Sequence, residues 1–301
     1  NASGVEVLGN VVYGQRGSGD RGISVSGGRA YGNVVYDNWH GIYGYGVIEA
    51  NRVYGNLEIG IYVYTGGAPG QVLRNVVYSN PTGVHVHPYY GSAGGSLENN
   101  LIYENTDQGV VLNRTNGYQV VNNTIYQSVG EAIILQGGAR DVELRNNIFW
   151  VGDGYGISVA DDSQVGFGSD YNLFYVEGSG RIGYWQTTDL VTLMDWSNAT
   201  YTDQESFVSN PEFVDPDGID NILGFLDLSS DGRDDDFHVK SQHGSFHGGS
   251  LAPVLSETTG LPEFPTPIEI SDDTQSPAID RGDEIDTFDN EPLPSGGYRN
   301  L

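Results

Sequence analysis

The sequence contains no cysteine, one methionine and one lysine, Lys240. The absence of cysteine excludes disulfide bonds and thiolate metal sites. No apolar run reaches the roughly 18 residues that a membrane-spanning helix needs, so membrane insertion is not expected. Basic residues are scarce, 13 against 40 acidic ones, and the formal net charge is −27. Such a surface repels the phosphates of nucleic acids, which excludes nucleic-acid binding.

Glycine is abundant, with 44 of 301 residues, and 38% of the chain is hydrophobic. This composition favours a turn-rich β protein over a helical one. The chain begins at Asn1, in the middle of a repeating pattern, so we interpret it as a processed protein or a domain excised from a larger chain. Composition and repeat type predict a monomeric domain that is secreted or displayed on a cell surface.

An internal repeat dominates the first two thirds of the chain. The phrase Asn-x-apolar-aromatic occurs eight times, with 18 to 25 residues between successive asparagines. A single repeat cannot bury its own apolar side, but stacked repeats can. The copies are NVVY at Asn10, NVVY at Asn33, NRVY at Asn51, NVVY at Asn75, NLIY at Asn100, NTIY at Asn123, NIFW at Asn147 and NLFY at Asn172.

A second phrase, of the type Gly-Ile-x-Val, follows each copy, and a third short apolar segment precedes the next asparagine. Three short strands per repeat predict an all-β fold, a parallel β-helix of about eight rungs with strands about 4.8 Å apart. The third residues of the Asn phrases should form one inner column, and the asparagines should form an inward ladder of side-chain amides. A second, partial ladder is predicted at Asn38, Asn56, Asn80 and Asn105.

The segment NVVYSNPTGVHV, residues 75 to 86, resembles the repeat of right-handed parallel β-helix proteins of the pectate-lyase-like superfamily. The resemblance covers residues 5 to about 186 and implies the handedness. Later segments, MDWSNATYTDQESFVSNPEFVDP and SPAIDRGD among them, resemble the end region of secreted bacterial β-helix proteins. Because an open solenoid end exposes strand edges, we predict repeats over 1–186 and an irregular C-terminal capping region over 187–301, packed on the last rungs.

Alignment of the second phrase on its glycine predicts two outward columns. They bring together four tyrosines and two histidines, here called the tyrosine–histidine face: Tyr43, Tyr45, Tyr62, Tyr64, His85 and His87. Asn113, Gln136 and Arg114 follow on the next rungs, and Tyr89 and Tyr90 follow His87 along the chain. Tyrosine rings stack on sugars, and polar groups beside them bind hydroxyls. The alternative is an aromatic ladder that only stabilises the sheet.

These residue types can also perform chemistry. A histidine, His85 or His87, can act as a general base, and a tyrosine, Tyr62 or Tyr64, as a general acid. Arg114 can neutralise a sugar carboxylate. The superfamily contains polysaccharide lyases and epimerases, so the resemblance implies β-elimination or C5-epimerisation. The Asp-Pro-His sequence of alginate epimerases and the Gly-His-Gly of polygalacturonases are absent.

Two acidic segments, DPDGID and DLSSDGRDDD, predict a calcium site at Asp215, Asp217, Asp220 and Asp231, because Ca²⁺ takes six to eight oxygen ligands. The alternative is a solvated acidic loop. The sequence thus favours a secreted protein that acts on or binds an extended, uronic-acid polysaccharide, with calcium as the expected cofactor. The other interpretation is a non-catalytic glycan-binding or structural module of a large extracellular protein.

Overall fold

The computed structural model describes residues 4–64, 69–88, 94–286 and 299–301. Up to residue 186 the chain repeats three short strands per turn, apart from a short 3₁₀ helix at Asp161–Ser163. In chain order the strands are β1 (Glu6–Leu8), β2 (Val11–Tyr13), β3 (Arg21–Tyr31), β4 (Val34–Tyr36), β5 (His40–Glu49), β6 (Arg52–Tyr54), β7 (Ile59–Val63), β8 (Gly70–Leu73), β9 (Val76–Tyr78), β10 (Thr82–Val86), β11 (Gly95–Glu98), β12 (Leu101–Tyr103), β13 (Gln108–Asn113), β14 (Tyr118–Val121), β15 (Thr124–Gln127), β16 (Glu131–Gln136), β17 (Glu143–Arg145), β18 (Ile148–Val151), β19 (Tyr155–Val159), β20 (Gly168–Asp170), β21 (Leu173–Val176) and β22 (Arg181–Trp185).

The described residues after 186 form one helix and short strands, here called the C-terminal segment. Within the described part of the chain no helix is long and apolar enough to cross a membrane. The elements are β23 (Thr188–Leu190), α1 (Leu193–Thr200), β24 (Phe207–Val208), β25 (Phe213–Asp215), β26 (Asp236–Val239), β27 (Ser245–His247), β28 (Val254–Leu255), β29 (Pro262–Glu263) and β30 (Ile268–Ile270).

Successive turns pair in parallel and build a solenoid of about seven turns. The Asn phrases form a nine-stranded sheet, the asparagine sheet, in the order β2-β4-β6-β9-β12-β15-β18-β21-β24. The other two strands of each turn form a 15-stranded sheet with two arms. One arm, the glycine row, is β7-β10-β13-β16-β19-β22, and the other, the third row, is β8-β11-β14-β17-β20. Both arms join at the long strands β3 and β5, which run through both.

The inner column predicted from the repeat is present. Pairing places the third residue of each Asn phrase beside its counterpart on the next turn, from Val12 to Phe174. From Val35 onward each of these side chains is fully buried. They pack with the apolar residues of the other two rows in one continuous core. Each buried Val, Ile or Phe contributes about 1.5–3 kcal/mol relative to exposure, so stacking supplies the burial that a single repeat lacks.

Both asparagine ladders are confirmed. In the first, Asn75 Oδ1 accepts hydrogen bonds from the backbone and side-chain nitrogens of Asn51, at 3.0 Å each. Asn75 Nδ2 donates in turn to Asn100 Oδ1 at 3.0 Å. The second ladder runs from Asn38 to Asn105 and ends on a glutamine, because Asn105 N donates to Gln127 Oε1 at 3.0 Å. Buried amides are tolerated here because each one is fully hydrogen-bonded.

The corner before each ladder asparagine requires a left-handed backbone. The preceding residues have φ between 48° and 66°, and they include Ala50, Arg74 and Tyr171. Left-handed conformations are unfavourable for residues with a Cβ, so this geometry must be imposed by the strands and the ladder around it. The sharp corner is what turns each asparagine inward.

The C-terminal segment first closes the end of the core. Trp196 of α1 is fully buried against Trp185 and Phe167. Its indole Nε1 donates to Asp203 Oδ2 at 2.7 Å. The helix begins at a capping threonine, since Thr192 Oγ1 accepts the backbone N–H of Asp195 at 3.1 Å. This short helix covers the last turn, and the extent of the predicted cap stays a prediction.

The rest of the C-terminal segment extends well beyond the last rungs. It lies along the outer side of the asparagine sheet, where the aromatic residues of the Asn phrases stack at centroid distances of 4.7 to 5.2 Å. Phe213, Phe225 and Phe237 pack on this tyrosine column and form a second core. Because a column of phenol rings is partly apolar, it favours such cover. The boundary predicted at residue 186 itself stays a prediction.

Arg52 anchors the C-terminal segment to the early turns. Its guanidinium is buried and donates to the carbonyls of Pro253 and Gly232 and to Ser250 Oγ, at 2.9 to 3.0 Å. A buried cation is tolerated only when its donors are satisfied, as they are here. The contact joins residues 180 to 201 positions apart in the chain.

Candidate functional site

The glycine row positions the tyrosine–histidine face. In its strands the buried residues alternate with outward ones, so Tyr43, Tyr62 and His85 are direct neighbours on β5, β7 and β10. These three side chains are half-buried, and none belongs to the hydrophobic core. The C-terminal segment packs on the asparagine sheet, a different side of the solenoid. The structure therefore brings these three residues together as the alignment predicted.

The aromatic rings of this face are in mutual contact. Tyr43 and Tyr62 stack with centroids 5.0 Å apart and an interplanar angle of 8°. Tyr64 contacts Tyr43 at 4.9 Å and Tyr45 edge-on at 5.8 Å. The ring of His85 lies 5.1 Å from that of Tyr62. The four tyrosines thus form one continuous half-exposed aromatic surface, which ends at the histidines.

The two histidines differ in environment. Their rings lie 6.0 Å apart. Burial, assisted by the charges of His87 and His40, lowers the pKa of His85 to about 4. His85 Nε2 is buried, with no hydrogen-bond partner in the described part of the chain. Burial also lowers the pKa of His87, and Arg114 adds to this shift. Both imidazoles are therefore neutral near pH 7, with a lone pair available to accept a proton.

Tyr62 has the properties of a proton donor. Burial, followed by the neighbouring Tyr43, raises the pKa of its phenol, while the positive charge of Arg21 opposes the shift. The phenol therefore keeps its proton at neutral pH. Tyr62 lies on β7, one strand before His85 on β10, and the two rings are in contact.

Three polar residues of this region were missed by the sequence analysis: Arg21, His40 and Glu58. Arg21 stacks on Tyr43, with its guanidinium carbon 3.4 Å from the ring centroid. His40 Nε2 lies 3.5 Å from Glu58 Oε2, and its ring is 6.0 Å from that of Tyr62. Arg21 and His40 occupy the position just before the glycine of the second phrase. They were missed because the alignment began at the glycine itself. The same repeat spacing, extended by one residue toward the N-terminus, predicts the outward column that contains Arg21 and His40.

The remaining predicted residues lie further along the row. Asn113 and Gln136 are strand neighbours on β13 and β16, and both are half-buried. Arg114 follows β13 directly, is exposed and has a left-handed φ of 59°. Its charge acts on His87 rather than on Tyr62. Tyr89 and Tyr90 lie outside the described residues.

The four aspartates of the predicted calcium site do not form one cluster of ligands. Asp231 is paired with Arg233 through two hydrogen bonds of 2.7 and 2.8 Å. Asp220 Oδ1 accepts the backbone N–H of Ile222. Burial and a hydrogen-bonded contact with Asp217 raise the pKa of Asp215. In the ranges that the structure covers, no three His, Asp or Glu side chains are arranged to hold a metal ion. The calcium site stays a prediction.

Comparison with known proteins agrees with this architecture. The family model described as "Right handed beta helix region" matches residues 88–174. The chain folds as a right-handed parallel β-helix. A solved structure, the A-module of the mannuronan C-5 epimerase AlgE6 of Azotobacter vinelandii, superposes with a TM-score of 0.52 at 18% sequence identity. The alignment covers 69% of this chain and 58% of that structure. A comparison with curated protein sequences gives no match.

Proposed function

We propose that the tyrosine–histidine face binds an extended polysaccharide of the uronic-acid class and transfers protons at the sugar C5. One observation carries this proposal. On two adjacent strands, β7 and β10, a phenol that keeps its proton, Tyr62, adjoins imidazoles that are neutral and unprotonated, His85 and His87, on the outward side of one sheet. A donor and an acceptor of protons, with an arginine beside them, are the groups that β-elimination or epimerisation of a uronate requires.

In the proposed reaction, an imidazole accepts the C5 proton of a bound uronate. Of the two histidines, His87 is the better base, because His85, with a pKa of about 4, binds a proton too weakly. Arg114 stabilises the negative charge that develops on the carboxylate. In elimination, the electron pair forms the C4–C5 double bond, the C4–O bond breaks, and Tyr62 donates its proton to the leaving oxygen. In epimerisation, the imidazole keeps the abstracted proton and Tyr62 donates its own proton to C5 from the opposite face.

The fold comparison supports the substrate class. The superposed epimerase module is named for its action on mannuronan, a polysaccharide, although the low identity supports the likeness of fold alone. We further propose that the protein works outside the cell, where such polymers occur, and that its partner is a polysaccharide. A high negative charge opposes the binding of a polyanion, so the arginines of this face must supply local attraction.

The test is product formation over a panel of alginate, pectate and glycosaminoglycan substrates, with and without a chelator. Unsaturated uronate ends are detected by ultraviolet absorbance, and epimerisation by deuterium incorporation at C5 in heavy water. We expect His87→Gln and Tyr62→Phe to reduce kcat by about 10²–10⁴-fold. The control His243→Gln changes an exposed histidine of the C-terminal segment and should act as the wild type. Product formation that is unchanged in both site variants would contradict the assignment.

A second candidate is a non-catalytic glycan-binding or structural module. The observation in its favour is that Tyr43 and Tyr62 stack on one another much as Tyr54 and Tyr78 do in the covered column of the asparagine sheet, at 5.0 Å in both cases. Aromatic columns in this solenoid therefore also have a structural use. Retention on an immobilised polysaccharide without any product, unaffected by His87→Gln, favours the glycan-binding module.

A further inference from the structure

Two exposed arginines of the glycine row have no carboxylate partner among the described residues, a property that they share with Arg52 and Arg140 elsewhere in the solenoid. Most arginines of the solenoid are paired, for example Arg16 with Asp37 and Arg29 with Glu49. Among the described residues, Arg21 and Arg114 form no salt bridge. Both are exposed. In a chain with 40 acidic residues, an arginine without a carboxylate partner is available for an anionic ligand.

Arg21 marks the N-terminal limit of the tyrosine–histidine face. It is the first residue of β3 and pairs in register with His40 on β5. Its guanidinium carbon lies over the ring of Tyr43, 3.4 Å from the ring centroid. A guanidinium that packs on an aromatic ring through its face can still bind a carboxylate through two hydrogen bonds from its N–H edge.

Arg114 marks the other limit. It follows the last residue of β13, one strand beyond His85 and His87. Its charge is felt by His87, which places the two side chains close together. Glu58, an acidic residue at the opposite side of the face beside His40, accepts a hydrogen bond from the indole N–H of Trp39.

The spacing of the two arginines sets the length of a ligand. From β3 to β13 the row steps through β5, β7 and β10, which gives four strand intervals. At about 4.8 Å each, these intervals separate the two residues by about 19 Å along the solenoid axis. Arg21 is in register with Gln108, six residues before Arg114, which adds about 20 Å along the strand direction, so the two arginines lie about 28 Å apart on a diagonal. A single sugar ring cannot bridge this distance, whereas a short oligosaccharide can. The stacked tyrosines and the histidine pair lie between the two cations.

We propose that Arg21 and Arg114 hold carboxylates near the two ends of an acidic oligosaccharide that crosses the tyrosine–histidine face diagonally. This inference rests on the proposed function, because it concerns the ligand of the same face. It adds a path across the face and a minimum length to the ligand and assigns a binding role to Arg21. Two linked contacts act with a high effective concentration, so affinity rises when a ligand is long enough to reach both.

The experiment is calorimetric titration of the full chain with oligouronates of increasing length, from disaccharide to octasaccharide. The comparison series has the same lengths with its carboxyl groups reduced to alcohols. We expect affinity to increase by about tenfold or more at the length that reaches both arginines. Arg21→Gln and Arg114→Gln should each remove that increase for long ligands and change short ligands little. High salt should also reduce the increase.

Arg16→Gln is the matched control, because it removes the same charge from an exposed arginine that is paired with Asp37. Affinity that is independent of length, equal binding of the neutral series, or long-ligand binding unchanged in both site variants overturns the inference. Its outcome is separable from that of the proposed function. Length-dependent binding without product contradicts only the chemistry, and product formation that is indifferent to Arg21→Gln contradicts only the two-arginine arrangement.

Discussion

The titration of His85 is the most direct test of the site's electrostatics. The imidazole lies between Tyr62 and His87, and its Nε2 is buried with no partner in the described chain. Burial is the main reason that its pKa is lowered from 6.5 to about 4. NMR of the imidazole carbons should therefore show His85 changing protonation state near pH 4, and this signal should be lost in His85→Gln.

The same shift has a consequence for stability. A displacement from 6.5 to about 4 corresponds to about 3 kcal/mol, at about 1.4 kcal/mol per unit. Between these two values the unfolded chain binds a proton at this residue and the folded chain does not. The contribution is therefore fully present above pH 6.5 and is lost as the pH falls toward 4. Because many other groups titrate in this range, the comparison must be made with His85→Gln.

Urea denaturation at pH 7 and at pH 4.5 measures the effect. The free energy of unfolding should fall by about 2–3 kcal/mol more in the wild type than in His85→Gln over this interval. His243→Gln, which changes an exposed residue, should retain the wild-type dependence. An equal pH dependence in the wild type and His85→Gln, or a His85 titration near 6.5, refutes the buried environment. It would also make His85 as good a candidate for the base as His87.

Three further predictions concern stability. Asn75→Ala removes five hydrogen bonds of the buried ladder and should lower the free energy of unfolding, measured by urea denaturation, by about 3–5 kcal/mol. The control Asn10→Ala, at the exposed first rung, should lower it by less than about 1 kcal/mol. Similar losses in the two variants would contradict the ladder's role. Burial raises the pKa of Asp235 to about 7, so its stabilising contribution, fully present below pH 3.8, is lost as the pH rises through 7. Asp235→Asn should reduce this decline between pH 4 and pH 7, and an unchanged decline argues against the raised pKa. The predicted calcium site implies that Ca²⁺ raises the Tm, and that a chelator or Asp215→Asn removes this increase. A Tm that Ca²⁺ does not change would support the alternative, a solvated acidic loop.

The repeating part of the fold could be predicted because its determinants are local and periodic. One spacing fixed the register of Val35, Asn75 and His85, since every turn must place the same residue at the same corner. The pairing of Tyr62 with His85 follows from that register alone. The degree of burial of His85 could not be predicted, because it depends on loops and neighbouring side chains that do not repeat along the sequence.

The course of the C-terminal segment could not be predicted in the same way. Its contacts, such as Arg52 with Pro253 and Tyr103 with Asp235, join residues 132 to 201 positions apart and have no repeating signal. One indication was available. The fourth residue of every Asn phrase is aromatic and follows a buried position, so the repeat predicts an outward row of rings on the asparagine sheet that some other part of the chain is expected to cover.

The anchoring of the late segment on early turns has a consequence for biosynthesis. The first solenoid turns leave the ribosome long before residues 213–255, which supply the cover for Tyr54 and Tyr78. Until then the nascent chain displays a strip of bare rings that a neighbouring nascent chain can bind. Docking of that segment also closes very long chain loops, which slows the final folding step. A chain cut after the last turn should keep its amide ladders and yet self-associate through this strip, so a shortened expression clone would be expected to aggregate rather than to unfold.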